Sequence, residues 1–236
     1  MSLKSIVAGA AVAATLAAAA TANAANAAPE AALPITAPWT GPFGGVPAFD
    51  RVTVEQLKPG LEIGMAEQLA EIDRIAADPA APTFENTIAA MERSGRTLDR
   101  VSTVFGIYSS TLNDEAVQAV EREMAPKLAE FSDRITQNEA LFKRIAAVYE
   151  ARGTSGLTPE QQRLTWVIYT DFARSGAKLD AAAKQRLAAI NQKLASLYTK
   201  FSQNVLADEN DQQLVIENEA DLAGLPEPVR AGAAEV

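Results

Sequence analysis

The chain of 236 residues contains no histidine and no cysteine. Most zinc sites are built from those two residue types, so such a site is excluded from this sequence. Nucleophilic pairs that need an imidazole base or a thiolate are excluded with them. Disulfides cannot form, and stability must come from buried apolar surface alone. Aromatic residues are few, at 6%. Positive charge is in deficit: 21 Lys and Arg stand against 30 Asp and Glu, a net charge of −9. That balance argues against nucleic acid and against anionic membrane surfaces as partners.

What is present begins with an N-terminal segment that reads as an export signal. Lys4 provides the positive end, Ile6 to Ala20 an apolar core, and Ala22-Asn23-Ala24 and Ala25-Asn26-Ala27 two small-x-small cleavage patterns. Residues 1–27 are therefore expected to be removed on export to a bacterial periplasm. No Cys is available for lipid attachment, and there is no twin-arginine pair. Loss of Lys4 would leave the remainder slightly more acidic, with no membrane association expected after cleavage.

Residues 28–52 form a Pro/Gly-rich arm. Pro34, Pro38, Pro42 and Pro47 forbid regular helix, and Gly41, Gly44 and Gly45 supply turns. Trp39, Phe43 and Phe49 within it suggest an extended arm whose rings pack on the body. The glycines do not form a phosphate loop, since no Gly-Lys-Ser/Thr follows.

Residues 53–211 read as successive helices, which sets the fold class as all-α. Thr53-Val54-Glu55-Gln56 has the pattern of a capping box before a helix reaching about Ala77. A second helix is expected from Thr83 through Tyr108, with Gly95 marking a close approach. A third starts near Asp114 and contains Pro126, where a kink or break is expected. A fourth spans Glu139 to Ala151. A fifth begins with Thr158-Pro159-Glu160-Gln161 and ends near Ser175. The longest runs from Asp180 to about Leu206. Its stripe of Leu187, Ile190, Leu194, Leu197, Phe201 and Val205 reads as a core seam, with Lys184, Arg186, Lys193 and Lys200 on a solvated back. Residues 212–236 read as the start of an incomplete unit: Gln213 to Glu217 is strand-like and has no partner strand in the sequence.

No residue is singled out as catalytic, cofactor-binding or metal-ligating. Carboxylates are numerous, but nothing marks a pair as buried, and without burial or a partner their pKa values stay ordinary. Asp208-Glu209-Asn210-Asp211 fails as a calcium loop, because Gln213 stands where the loop needs Gly.

Several stretches carry a more specific signal. Pro47-Ala48-Phe49-Asp50-Arg51 precedes the first helix. Ala81-Pro82-Thr83-Phe84-Glu85-Asn86-Thr87-Ile88 is followed by Glu92, Ser94-Gly95 and Leu98-Asp99-Arg100-Val101. Phe172-Ala173-Arg174-Ser175-Gly176-Ala177 precedes the long helix, and Phe201-Ser202-Gln203-Asn204-Val205-Leu206-Ala207-Asp208 closes it. In this order they resemble the N-terminal region of the thimet-oligopeptidase-type (M3) zinc metallopeptidases, on the bacterial peptidyl-dipeptidase branch. The resemblance implies a helical wall on one side of a deep channel. In that family the other half bears His-Glu-x-x-His and a zinc ion, and C-terminal dipeptides are removed from oligopeptides. It implies zinc in the full-length enzyme, none bound by this chain, and inactivity of this chain alone. The implied partners are an oligopeptide substrate and the missing catalytic half, with the chain itself a monomer. A stand-alone helical periplasmic peptide-binding or regulatory module is the alternative reading.

Overall fold

The computed structural model describes residues 33–212 and 215–234. The signal reading of residues 1–27 lies outside them. The described residues form eight α-helices joined by short turns, with no strand among them, in agreement with the all-α expectation.

The arm enters on a 3-10 turn, Pro34–Thr36, that seats Ile35 fully in the core. Trp39 packs partly against the same apolar cluster, and Val52 closes it. The expectation that all three arm rings pack is corrected: Phe43 is 100% exposed and Phe49 nearly half exposed. Aliphatic Ile35 and Val52 do the anchoring in their place.

Helix α1, Leu57–Ala76, follows a 3-10 turn at Val54–Gln56. The capping box expected at Thr53 does not form. The Gln56 amide is already bonded to the Thr53 carbonyl in that tight turn, and the Gln56 side chain donates to the Arg51 carbonyl. The Thr53 hydroxyl lies on the Glu55 carboxylate and, as the first cause, holds it below the ordinary range. Helix α1 is the central element and contributes to two apolar clusters. Its first half joins Ile35, Leu98, Val101, Val104, Val117 and Met124. Its second half, through Ile72, joins Ile88, Leu141, Ile145, Ile168 and Phe172.

The second predicted helix is broken. A single π turn at Phe84–Ile88 runs into the short α2, Ala89–Glu92, and Gly95 then separates it from α3, Arg96–Thr111. Gly95 sits at φ +78°, which side chains other than glycine rarely adopt, so the helical spacing across it conceals a break. The close approach expected at Gly95 is present, since an added Cβ would lie 2.5 Å from the Gln68 side chain of α1, and a second occurs at Gly64 of α1, where an added Cβ would lie 2.8 Å from the Leu98 Cα. The α1–α3 crossing depends on that missing methyl.

Helix α4, Glu115–Thr136, starts on an Asp114 cap and continues unbroken through Pro126. Helix α5, Glu139–Ala151, is capped by Asn138. Helix α6, Pro159–Arg174, starts on the expected capping box of Thr158 and Gln161. Stacking of Phe142 and Tyr149 of α5 on Tyr169 of α6, with centroids 5.7 and 3.9 Å apart, locks those two helices. Helix α7, Ala181–Asp211, is capped by Asp180 and rests mainly on α4. Of the run expected to be strand-like, Gln213 and Leu214 lie outside the described residues, and Val215 to Glu217 forms no strand, since the described residues offer no sheet edge to pair with it. The short α8, Glu227–Ala233, buries no residue.

Candidate functional site

The two most specific sequence stretches lie in different places and are built differently. The first, around Thr83 to Ile88, is a polar knot beneath a groove. Thr83 caps the π turn: its hydroxyl accepts from the Asn86 amide (3.1 Å), and its own amide donates to Asn86 Oδ1 (2.8 Å). The same Oδ1 accepts from the buried Thr87 hydroxyl (3.0 Å), while Asn86 Nδ2 donates to the Ala81 carbonyl (3.0 Å). Ala89 N–H reaches back five residues to Phe84, leaving Ile88 fully buried against α5 and α6. These residue types serve geometry: Asn supplies a donor and acceptor on one short stem, and Thr an N-cap.

The groove over this knot holds about 550 Å³ and is lined by Glu71, Arg74, Asp78, Glu85, Asn86 and Arg93. Three of its carboxylates are engaged in holding the fold. Glu85 pairs with Arg93 at 2.7 Å, and Glu71 accepts from the Gly95 amide at 2.7 Å. Asp78 meets the buried Arg144, whose guanidinium also donates to the Asp78 and Ala80 carbonyls at 2.7 and 3.0 Å. The arrangement ties α1, the π turn and α5 together and presents no unengaged acid–base pair among these three.

The second stretch, Phe201 to Asp208, lies on α7, where the structure overturns the sequence reading. Leu187, the first residue of the stripe expected to form a core seam, is half-buried against Gly176, but from Ile190 onward the stripe faces outward. Phe201 is 66% exposed and Tyr198 67%, and Ile190, Leu194, Leu197 and Val205 are also exposed. The face laid on α4 is largely polar. Lys184, expected on the solvated back, is buried, and its ammonium donates to the Gln137 carbonyl and pairs with Glu139, both at 3.3 Å. Asn191 donates to the buried Asp133 at 2.7 Å. Gln203 donates to the Gln118 carbonyl (3.0 Å) and to Glu121 (2.9 Å), and accepts from Arg122 (2.9 Å). Apolar periodicity identified a stripe correctly but could not say which face its own chain would cover.

Elsewhere, Glu123 of α4 lies between Lys58 (2.6 Å) and Lys127 (2.9 Å), and these cations hold its carboxyl below the ordinary range. One Ser-x-x-Lys spacing, Ser175 to Lys178, is present; the Lys178 ammonium sits over the Tyr169 ring, 5.0 Å from its centroid. Among the described residues no three His, Cys, Asp or Glu side chains converge to hold a metal. The donor set among these residues does not fit a catalytic zinc ion. No described helix is long and apolar enough to cross a membrane.

No protein-family model matches the chain. Individual proteins do. Dipeptidyl carboxypeptidase of Escherichia coli strain K12 is 38% identical over 189 residues, covering 80% of this chain and 28% of that protein. Dipeptidyl carboxypeptidase of Salmonella typhimurium is 36% identical over 188 residues, 79% of this chain and 28% of that protein. Oligopeptidase A of E. coli is 26% identical over 199 residues, 84% of this chain and 29% of that protein. The chain thus spans less than a third of the length of these relatives.

Proposed function

Since this chain belongs over its matched residues to the M3 peptidase family of dipeptidyl carboxypeptidase and oligopeptidase A, we propose that it forms the N-terminal helical wall of an exported zinc peptidase that removes dipeptides from the C-termini of oligopeptides. The observation that carries this reading is the 38% identity across 80% of the chain, joined to the complete lack of histidine and cysteine. The sequence relationship supports a peptidase ancestry, and in this reading the metal-binding chemistry comes from residues outside this sequence. A wall of this kind contributes by shaping the channel, excluding water and orienting the peptide, which can supply a large part of the barrier reduction without contact to the metal. The ion-paired lining of the groove and the locked α5–α6 stack give such a wall its rigidity.

In this reading the chain by itself binds no stoichiometric zinc and hydrolyses no peptide. Chelator-sensitive hydrolysis by the pure chain would count against it. The direct test is to read the gene beyond the codon for Val236. A continuing frame that encodes His-Glu-x-x-His supports the peptidase. A stop codon at that point overturns it. N-terminal sequencing of the exported protein tests removal of residues 1–27: a start near Ala28 is expected, and an intact Met1 in the cytosol refutes export.

A further inference from the structure

We infer that the outward face of α7 docks one amphipathic helix whose apolar seam is flanked by acidic residues, supplied by the peptidase portion this chain lacks. Two observations carry this. The first is the pattern of exposure. Ile190, Leu194, Leu197, Phe201 and Val205 step by three or four residues and all stay open to water; Tyr198 turns towards the α4 side, where it borders a cavity with Phe105 and Leu128. Isolated exposed apolar residues are ordinary, but a contiguous stripe on a helix marks a surface to be covered. Nothing else in the described chain covers it, because α7 rests on α4 through its opposite, polar side.

The second is charge. Arg186, Lys193 and Lys200 recur every seven residues, all exposed, in one row flanking the stripe; Lys200 also borders a groove shared with Glu115 and Arg122 of α4. None of the three has an ion-pair partner among the described residues. Such a row beside an apolar seam is the arrangement by which paired helices select partners. It selects for carboxylates. It also selects against an antiparallel second copy of α7, which would bring cation rows face to face.

The assignment of the source rests on the peptidase reading: the relatives carry more than twice as much chain beyond the matched region as within it, and a helix from that remainder is the occupant. The chemistry of the face does not depend on the source, so the two can be tested apart.

The test uses the full chain with labelled synthetic helices about four heptads long. They have identical leucine seams and either glutamate or lysine flanks. Fluorescence anisotropy should show the glutamate helix binding about tenfold tighter at low salt, with the difference shrinking in about 1 M salt. Leu194→Asp with Leu197→Asp should weaken that binding by about tenfold or more. Lys193→Glu with Lys200→Glu should remove the preference while leaving the seam intact, and both variants alter exposed positions only. A set of overlapping peptides tiled along the unmatched part of the E. coli dipeptidyl carboxypeptidase should yield a seam-dependent, acidic-flanked binder. Equal binding of both helices, no binding, no such tile, or indifference to the leucine substitutions each overturns the inference. So does a chain that sediments as a dimer and becomes monomeric in the leucine variant, since the occupant is then a second copy. A stop codon after Val236 sinks the peptidase reading yet leaves the glutamate preference to be measured.

Discussion

Asn86 offers a sharp test of how the fold is held. Its side chain accepts from the Thr83 amide and the Thr87 hydroxyl and donates to the Ala81 carbonyl, at 2.8, 3.0 and 3.0 Å. Replacing it with alanine removes half of the capping box, worth about 1 kcal/mol. It also strands the hydroxyl of Thr87, a fully buried residue, and frees the Ala81 carbonyl, together about 1–2 kcal/mol once partial solvation is allowed for. Asn86→Ala should therefore cost about 2–3 kcal/mol, or a melting temperature lower by about 5–10 °C for a domain of this size. Urea titration followed by far-ultraviolet circular dichroism measures it, with an unchanged slope expected. Asn86→Asp keeps both acceptor roles and adds a negative charge at a helix start, so it should recover about half the loss. Thr87→Val should cost little in the Asn86→Ala background, because its hydroxyl has already lost its partner. A midpoint for Asn86→Ala within about 0.5 kcal/mol of the parent would refute the reasoning, since that is the range of an ordinary surface change.

Two further outcomes follow from contacts elsewhere in the body. Gly95→Ala forces a side chain into φ +78° and places its Cβ 2.5 Å from the Gln68 side chain, so a loss of about 1–3 kcal/mol is expected in the same titration; no loss would mean that the break between α2 and α3 is not fixed by that residue. Glu123, held below the ordinary glutamate value of 4.5 by Lys58 and then Lys127, contributes stability above its unfolded pKa and loses it as pH falls through its folded pKa, so the loss lies below pH 4.5. Glu123→Gln should flatten the acid limb of the stability curve in that window, and an unaltered acid limb would refute the role.

Much of the secondary structure was legible because its signals are local. Asn138 and Thr158-Pro159 mark helix starts through hydrogen bonds made within one turn, and α5 runs over the span its periodicity indicates. Failures occurred where the deciding partner lies elsewhere. Thr53 has the residues of a capping box, but the 3-10 turn claims the amide it would have satisfied. Gly95 fits a helical period while adopting a left-handed backbone that periodicity does not register. The α7 stripe was assigned to this chain's core because an amphipathic pattern reports that a face will be covered and says nothing of what covers it. The signal that could have corrected it was present in Asn191 and Gln203, polar residues at the spacing of the α4-facing side. For the α7 stripe, the residue list was legible and the direction it faces was not.

The polar character of the α4–α7 contact has a mechanical consequence. Helices held by apolar burial separate only by exposing that surface to water, which couples their departure to melting of the core. Parting α7 from α4 would chiefly uncover Lys184, Asn191 and Gln203 and their partners, groups that water can satisfy in turn. Neither apolar cluster includes a buried residue of α7. The expected outcome is that amide exchange in α7 runs ahead of exchange in α1 and α5, whose side chains build the buried clusters.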